Sequence, residues 1–260
     1  MERSWDKKMG DRRNYLINQI VKYSLKLDQK GFGANHDGNI SAKFEDGLLA
    51  TPTAISKGDI VADMIITLDM DGKKISGIGK PFSEIKLHLA AYRTSDEIKA
   101  VVHAHPPFAT ALGLVGNSLK PALPEAIVSI GDVVPVAEFA MPGVLENDAI
   151  IASMLEQANV FMLQGNGVLA VGDNLEQAYL RLELVEHLAK IQFYAEQMGS
   201  PMSLSNENVE ELLEKREKAG LGPKGRGQAV SFSEAKQSLP TDSLDNIKKL
   251  IAEEIARCLK

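Results

Sequence analysis

A single cysteine, Cys258, stands in a chain of 260 residues. One thiol near the C-terminus excludes an intrachain disulfide framework and any cysteine-rich zinc ribbon. Long apolar runs are lacking as well. No stretch approaches the 18 or so continuous apolar residues that a membrane-spanning helix needs. The opening Met1-Glu2-Arg3-Ser4-Trp5-Asp6 has no apolar segment and no cleavage site, so no secretory leader is expected. Blocks of like charge are missing too: a formal net charge of −6 is spread along the chain, which argues against a nucleic-acid surface. Internal repeats and low-complexity tracts are absent. What remains is 44% hydrophobic and 25% charged, an ordinary globular composition. The expectation is a soluble, cytoplasmic protein with neither nucleic acid nor membrane as partner.

The most informative stretch is Val101-Val102-His103-Ala104-His105-Pro106-Pro107. The run from Ile98 reads as a buried strand. Successive strand side chains point to opposite faces, so His103 and His105 share one face, about 7 Å apart along the strand. Two imidazoles so placed can bind one metal ion, or they can make ordinary hydrogen bonds. Pro106-Pro107 stops the strand, because proline cannot donate to the ladder.

Around this strand the pattern alternates short strands with helices. Asp11–Gln29 carries an apolar stripe near the 3.6 period and reads as a helix. Ile40, Ala42 and Phe44 alternate with Ser41 and Lys43, and Glu45-Asp46-Gly47 turns the chain back through Leu48–Thr51. Ile60–Asp69 and Gly72–Ile78 read as further strands. Ser83 reads as the N-cap of a helix over Glu84–Tyr92. Ala109–Leu114 reads as a short helix, Pro121–Pro124 as a loop, and Val133–Val136 as an edge strand because of its proline. Glu146–Gln157 reads as a helix, Val160–Leu163 and Val168–Val171 as buried strands joined by Gly165-Asn166-Gly167, and Leu175–Met198 as a long helix. Beyond Pro201 come a charged helix over Glu207–Lys218, a glycine-rich linker over Gly220–Gly227 and an amphipathic helix over Ser243–Leu259. Hairpin-joined strands with flanking helices argue for a mixed, largely antiparallel sheet covered by helices, not a doubly wound parallel sheet.

Four stretches can converge on the histidine strand. Gly38-Asn39 forms a turn whose amides can hold an anion. Thr51-Pro52-Thr53 puts a hydroxyl at a strand end. Ser83-Glu84 opens a helix, where N–H groups favour negative charge. Gly165-Asn166-Gly167 is the fourth. Each has a plainer reading, as a turn, a cap or a first-turn carboxylate. His88 reads as a structural histidine, His36 as a surface residue and His187 as a helix-packing residue. Taken in order, the set has the parts of a sugar-phosphate site. Turn amides and hydroxyls would hold phosphate, two histidines a divalent metal acting as Lewis acid, and Glu84 would move a proton or complete the metal shell.

With these residues the chain resembles the class II aldolase/adducin-head family over about Tyr15 to Gln197. The matching stretches are Gly38–Ala42, Leu49–Thr53, Lys80–Glu84 with His88, Ala100–Pro106, Leu123–Ala126, Val134–Val136, Leu163–Val168 and Gly172–Ala178. The resemblance implies a three-layer α/β/α fold with a central antiparallel sheet. It also implies a homotetramer with active sites between subunits, a divalent ion (zinc first, manganese or another as alternative) and a sugar-phosphate substrate. Carried over residue by residue, Glu84 is the catalytic acid/base and His103 and His105 are metal ligands. Gly38, Asn39, Thr53 and Ser83 keep the substrate- and phosphate-binding positions. The third metal histidine is replaced by Asn166, whose carbonyl oxygen is a weaker donor for zinc. Phe82 stands where the family commonly has serine, and Ala54 where it often has glycine. The tyrosine that protonates substrate in part of the family has no clear match, although Pro124-Glu125 falls near its place.

The implied activity is a metal-dependent lyase. It would cleave a ketose phosphate by a retro-aldol reaction through a metal-bound enediolate. Epimerase, dehydratase and decarboxylase chemistry use the same intermediate, and a non-catalytic adducin-like assembly module is the alternative from another class. Residues 1–200 are expected to form the family domain, and 201–260 a C-terminal helical extension.

Overall fold

Strands that are apolar at nearly every position must be covered on both faces, and that requirement shapes this molecule. A computed structural model describes residues 2–138 and 147–223. Its eight strands are β1 (Asn39–Phe44), β2 (Gly47–Ala50), β3 (Ile66–Asp69), β4 (Lys74–Ser76), β5 (Ala100–Ala104), β6 (Val136–Ala137), β7 (Val160–Leu163) and β8 (Val168–Gly172). They form one sheet in the order β4-β3-β2-β1-β5-β8-β7-β6. Every neighbouring pair is antiparallel except β6 with β7. The largely antiparallel reading therefore holds, and the proline-containing segment does end at an edge.

Helices α1 (Glu2–Gln29) and α6 (Leu175–Met198) cover one face. There Ile20, Tyr23, Leu182 and Val185 pack on Ile40, Ala42, Val102, Val168 and Ala170. Helices α2 (Ile85–Thr94) and α5 (Asn147–Gln157) cover the other, where Leu87, Ala91, Ile151 and Leu155 meet Val101, Phe161, Leu169 and Val171. The result is the expected three-layer α/β/α architecture. His103 has the same strand parity as Val101 and so belongs to the α2 face.

Several local expectations change. The strand ends at Ala104, one residue before His105, because the His105 N–H donates to Phe32 O at 2.7 Å and leaves the ladder. Ser83 does not cap α2: Glu84 holds the N-cap position, and no side chain caps the helix there. Much of Ile60–Asp69 is not strand, since Ala62–Met64 makes a 3-10 turn before β3. Helix α1 begins at Glu2, well before Asp11. His187 is exposed, so it is not a packing residue.

Helix α3 (Pro107–Leu114) follows the histidine strand directly, with Pro107 in its first turn. Helix α4 (Pro124–Ile130) was not anticipated; Pro124 opens it at a position where a missing N–H costs nothing. Helix α7 (Asn206–Lys218) packs on α4. Its buried Arg216 donates to Val128 O and Ser129 O, satisfying carbonyls at the open C-terminus of α4. The residue-200 boundary falls between α6 and α7, both of which lie in one compact unit. Glu146, the end of the Gly220–Gly227 stretch, the Ser243–Leu259 segment and Cys258 lie outside the described residues.

Candidate active site

The antiparallel register places Asn39 opposite His103. One turn of α2 brings Glu84 over both. The Glu84 carboxylate is divided: Oε2 accepts from Asn39 Nδ2 at 2.7 Å, and Oε1 accepts from Asn166 Nδ2 at 2.8 Å. Oε1 also lies 3.3 Å from His103 Nε2. Asn166 reaches this point from the β7–β8 turn. Gly167 beside it lets the turn close on the histidines: its φ is +68°, and a Cβ there would lie 2.2 Å from Ala104 O and 2.5 Å from the His105 ring.

Both histidines are oriented by groups behind them. His103 is fully buried, and its Nδ1–H donates to Val168 O at 3.0 Å. His105 Nδ1 faces Asp37 Oδ2 at 3.5 Å. The two Nε2 atoms then face each other at 3.2 Å. With the protons on Nδ1, both Nε2 atoms present lone pairs to one point where a cation can sit; with a proton on one Nε2, the two share an N–H···N hydrogen bond. Two nitrogens sharing one ion at about 2.0–2.1 Å each stand roughly 3.0–3.4 Å apart. Glu84, His103 and His105 offer ligand atoms all within 4.8 Å of one another, the one such His/Cys/Asp/Glu group among the described residues. The donor set of two imidazole nitrogens and one carboxylate oxygen suits a divalent transition ion. The residues present therefore fit a metal.

Burial opposes the charge on Glu84, but His103 and the donors from His103, Asn166 and Asn39 outweigh it and hold the carboxyl well below the usual carboxylate range. Burial disfavours the charged His103 ring, and Glu84 overcomes that and raises it. Burial, then His103, pushes His105 down. Burial, then His103, also pushes His88 down to about 3, which leaves it neutral.

His88 belongs to a buried ladder that fixes α2 on the sheet. Glu84, His88 and Tyr92 recur at four-residue spacing and share one helix face. Ser41 Oγ lies 2.7 Å from His88 Nδ1 and 2.8 Å from the Tyr92 hydroxyl. Phe82 packs edge-on against the His88 ring, with centroids 4.9 Å apart. Phe82 is buried, so it fills volume at this position instead of offering a hydroxyl.

The anion-binding candidates are arranged around this cluster. Gly38 has φ +79°, and a Cβ there would stand 3.0 Å from His103 O, so the turn passes directly under the histidine strand. Asn39 spends its amide nitrogen on Glu84. Thr53 and Ser83 are exposed on two loops tied together by Thr53 N–H to Lys80 O at 2.9 Å. The structure thus joins Glu84, His103, His105, Asn166 and Asn39, borders them with Gly38, and leaves Thr53 and Ser83 outside the cluster. Sequence reasoning passed over Ser41, Asp37 and Lys57. The four-residue spacing from Glu84 through His88 to Tyr92 was the available sign of a polar helix face. Asp37 and Lys57 gave no such sign.

A His-His-carboxylate cluster that could hold one metal ion thus lies at the end of β5, in a largely antiparallel sheet held between helices. The chain belongs to the family described as Class II Aldolase and Adducin N-terminal domain, which it matches over residues 18–193. It is 33% identical over 211 residues to an L-fuculose phosphate aldolase of Escherichia coli K12, covering 80% of this chain and 97% of that one. It is also 33% identical over 181 residues to a 3-oxo-tetronate 4-phosphate decarboxylase of Pectobacterium atrosepticum, covering 67% and 82%. Among solved structures, an L-fuculose 1-phosphate aldolase superposes with a TM-score of 0.71 at 31% identity, over 78% of this chain and 96% of that chain.

Proposed function

We propose that this protein is a divalent-metal-dependent lyase that cleaves a ketose phosphate by a retro-aldol reaction. The observation that carries the reading is the pair of facing Nε2 atoms 3.2 Å apart, with a carboxylate oxygen 3.3 Å from one of them. His103 and His105 would hold the ion, with Asn166 Oδ1 as third donor, since its Nδ2 is engaged by Glu84. A bound ion would supply Lewis-acid polarisation of the substrate carbonyl. Zinc suits two imidazoles best, and the harder amide oxygen leaves manganese or another divalent ion as alternative. Gly38, Asn39, Thr53 and Ser83 are the candidates to receive the substrate and its phosphate.

In the cleavage direction the C4 hydroxyl loses its proton and the C3–C4 bond breaks, releasing an aldehyde. The electron pair passes toward the C2 carbonyl. Glu84 would carry the proton from the C4 hydroxyl to C3, which gives the second carbonyl product. Asn39 and Asn166 hold the carboxylate by one oxygen each, which fixes its direction. The similarity to a decarboxylase supports a second reading on the same residues, in which carbon dioxide leaves in place of the aldehyde. The reading also includes a cytoplasmic homotetramer with sites between neighbouring subunits.

Elemental analysis of the purified protein, before any chelator, tests the proposal together with a panel of ketose phosphates. About one divalent ion per chain and release of an aldehyde are expected. Glu84→Gln should lower turnover by about 10²-fold or more. A protein that neither carries nor takes up a divalent ion would overturn the reading.

A further inference from the structure

Asp37 is absent from the group that can hold the ion, yet the fold brings it to the back of His105. It sits in the loop between α1 and β1, and three contacts fix that loop. Phe32 O accepts from the His105 N–H at 2.7 Å, Asp37 N–H donates to Ala34 O at 3.0 Å, and Lys57 Nζ donates to His36 O at 3.3 Å. Lys57 is itself buried, 4% exposed, and its ammonium also donates to Ile55 O at 2.7 Å. A lysine taken out of water needs such partners. Here they tie the loop at His36 to the chain at Ile55, with the ammonium charge near the Asp37 carboxylate. Gly33 packs so closely on Asp37 that an added Cβ would lie 2.9 Å from Asp37 O.

Each histidine turns Nε2 toward the shared centre and has an oxygen behind Nδ1. His103 Nδ1–H donates to Val168 O at 3.0 Å, and His105 Nδ1 faces the Asp37 carboxylate across 3.5 Å, an ion-pair separation. An oxygen acceptor behind Nδ1 keeps the proton there, frees the Nε2 lone pair and raises the basicity of a metal-binding imidazole. The His103 ring is clamped by burial as well, whereas the His105 side chain is 28% exposed and has less packing to orient it.

Resting on the metal-centre reading above, we infer that Asp37 is a positioning residue. It holds His105 in the tautomer and orientation that bind the ion, on a loop buttressed by Lys57. Its contribution is made by the carboxylate charge that stands 3.5 Å behind Nδ1.

The test is competitive zinc titration against a chromophoric chelator for wild-type protein, Asp37→Ala and Asp37→Asn. Asp37→Ala should weaken zinc binding by about 10-fold or more. Asp37→Asn, which keeps the shape without the charge, should lose about as much. The Asp37 side chain is 44% exposed, so thermal unfolding of the ion-free variants should match wild type. Equal affinity in all three proteins would overturn the inference and leave the metal centre standing. Wild-type affinity in Asp37→Asn would show that the carboxylate charge is not what acts, and would also overturn it. Absence of zinc binding by wild type would instead remove the reading on which the inference rests.

Discussion

Asn166 Nδ2 donates to Glu84, and on the proposed reading its Oδ1 is the third ligand of the ion. Imidazole is the better zinc ligand, so Asn166→His should raise zinc affinity by roughly 10-fold or more, read by chelator competition. Equal or weaker binding would mean that this side chain does not occupy the third-donor position. The same change removes one of the two amide donors to Glu84. Turnover therefore need not follow affinity, and the two should be measured separately. At this scale the sequence was legible where chemistry was concentrated. His103 and His105 stood out as two imidazoles at a strand end, and Glu84 at a helix start. Asp37 was not legible, because it lies in a polar turn 68 positions from His105 along the chain and only the closed fold joins them. Ser41 read as the outward side of an alternating strand. It is in fact buried beneath α2, because helices cover both faces of this sheet.

The element that matters most to the site is α2, because its position on β1 determines where Glu84 points. The Ser41 hydroxyl serves both His88 and Tyr92 in a dry environment. Ser41→Ala would leave both without that partner, and a buried polar group deprived of its partner costs about 1–3 kcal/mol. A stability loss in this range or somewhat above it is expected from urea denaturation. Tyr92→Phe, which leaves the Ser41–His88 pair, should cost less. If Ser41→Ala were as stable as wild type, the ladder would not be what seats α2. Among the elements, α6 was legible to the residue because its period is long and Asn174 caps it, accepting from Gln177 N–H at 2.8 Å. Helix α4 was hidden by Pro121 and Pro124, which read as loop residues although the second opens a helix. The 3-10 turns before β3 were hidden by apolar residues whose alternation imitates a strand.

For the whole molecule, the surface beside the site bears on assembly. Phe108, three residues beyond His105, stacks with Phe193 at 5.5 Å and Tyr194 at 6.1 Å between centroids. Phe193 is 48% exposed, Tyr194 47%, and on α3 Leu114 is 61% and Val115 67% exposed. Scattered apolar residues on a surface need no explanation, but aromatic rings gathered on two adjoining helices are a feature of interfaces. No helix among the described residues is long and apolar enough to cross a membrane, so these rings do not belong to a spanning helix. A second copy of the chain is the occupant that the proposed homotetramer requires. Light scattering should then give a mass near four times 28.2 kDa. Phe193→Asp, which buries a charge in any contact made there, should shift the mass toward smaller species. Because Phe108 follows the histidine loop so closely, the dissociated variant should also lose substrate affinity while its ion content stays at the wild-type level. A wild-type mass of one chain would remove the tetramer and require each subunit to complete its site alone.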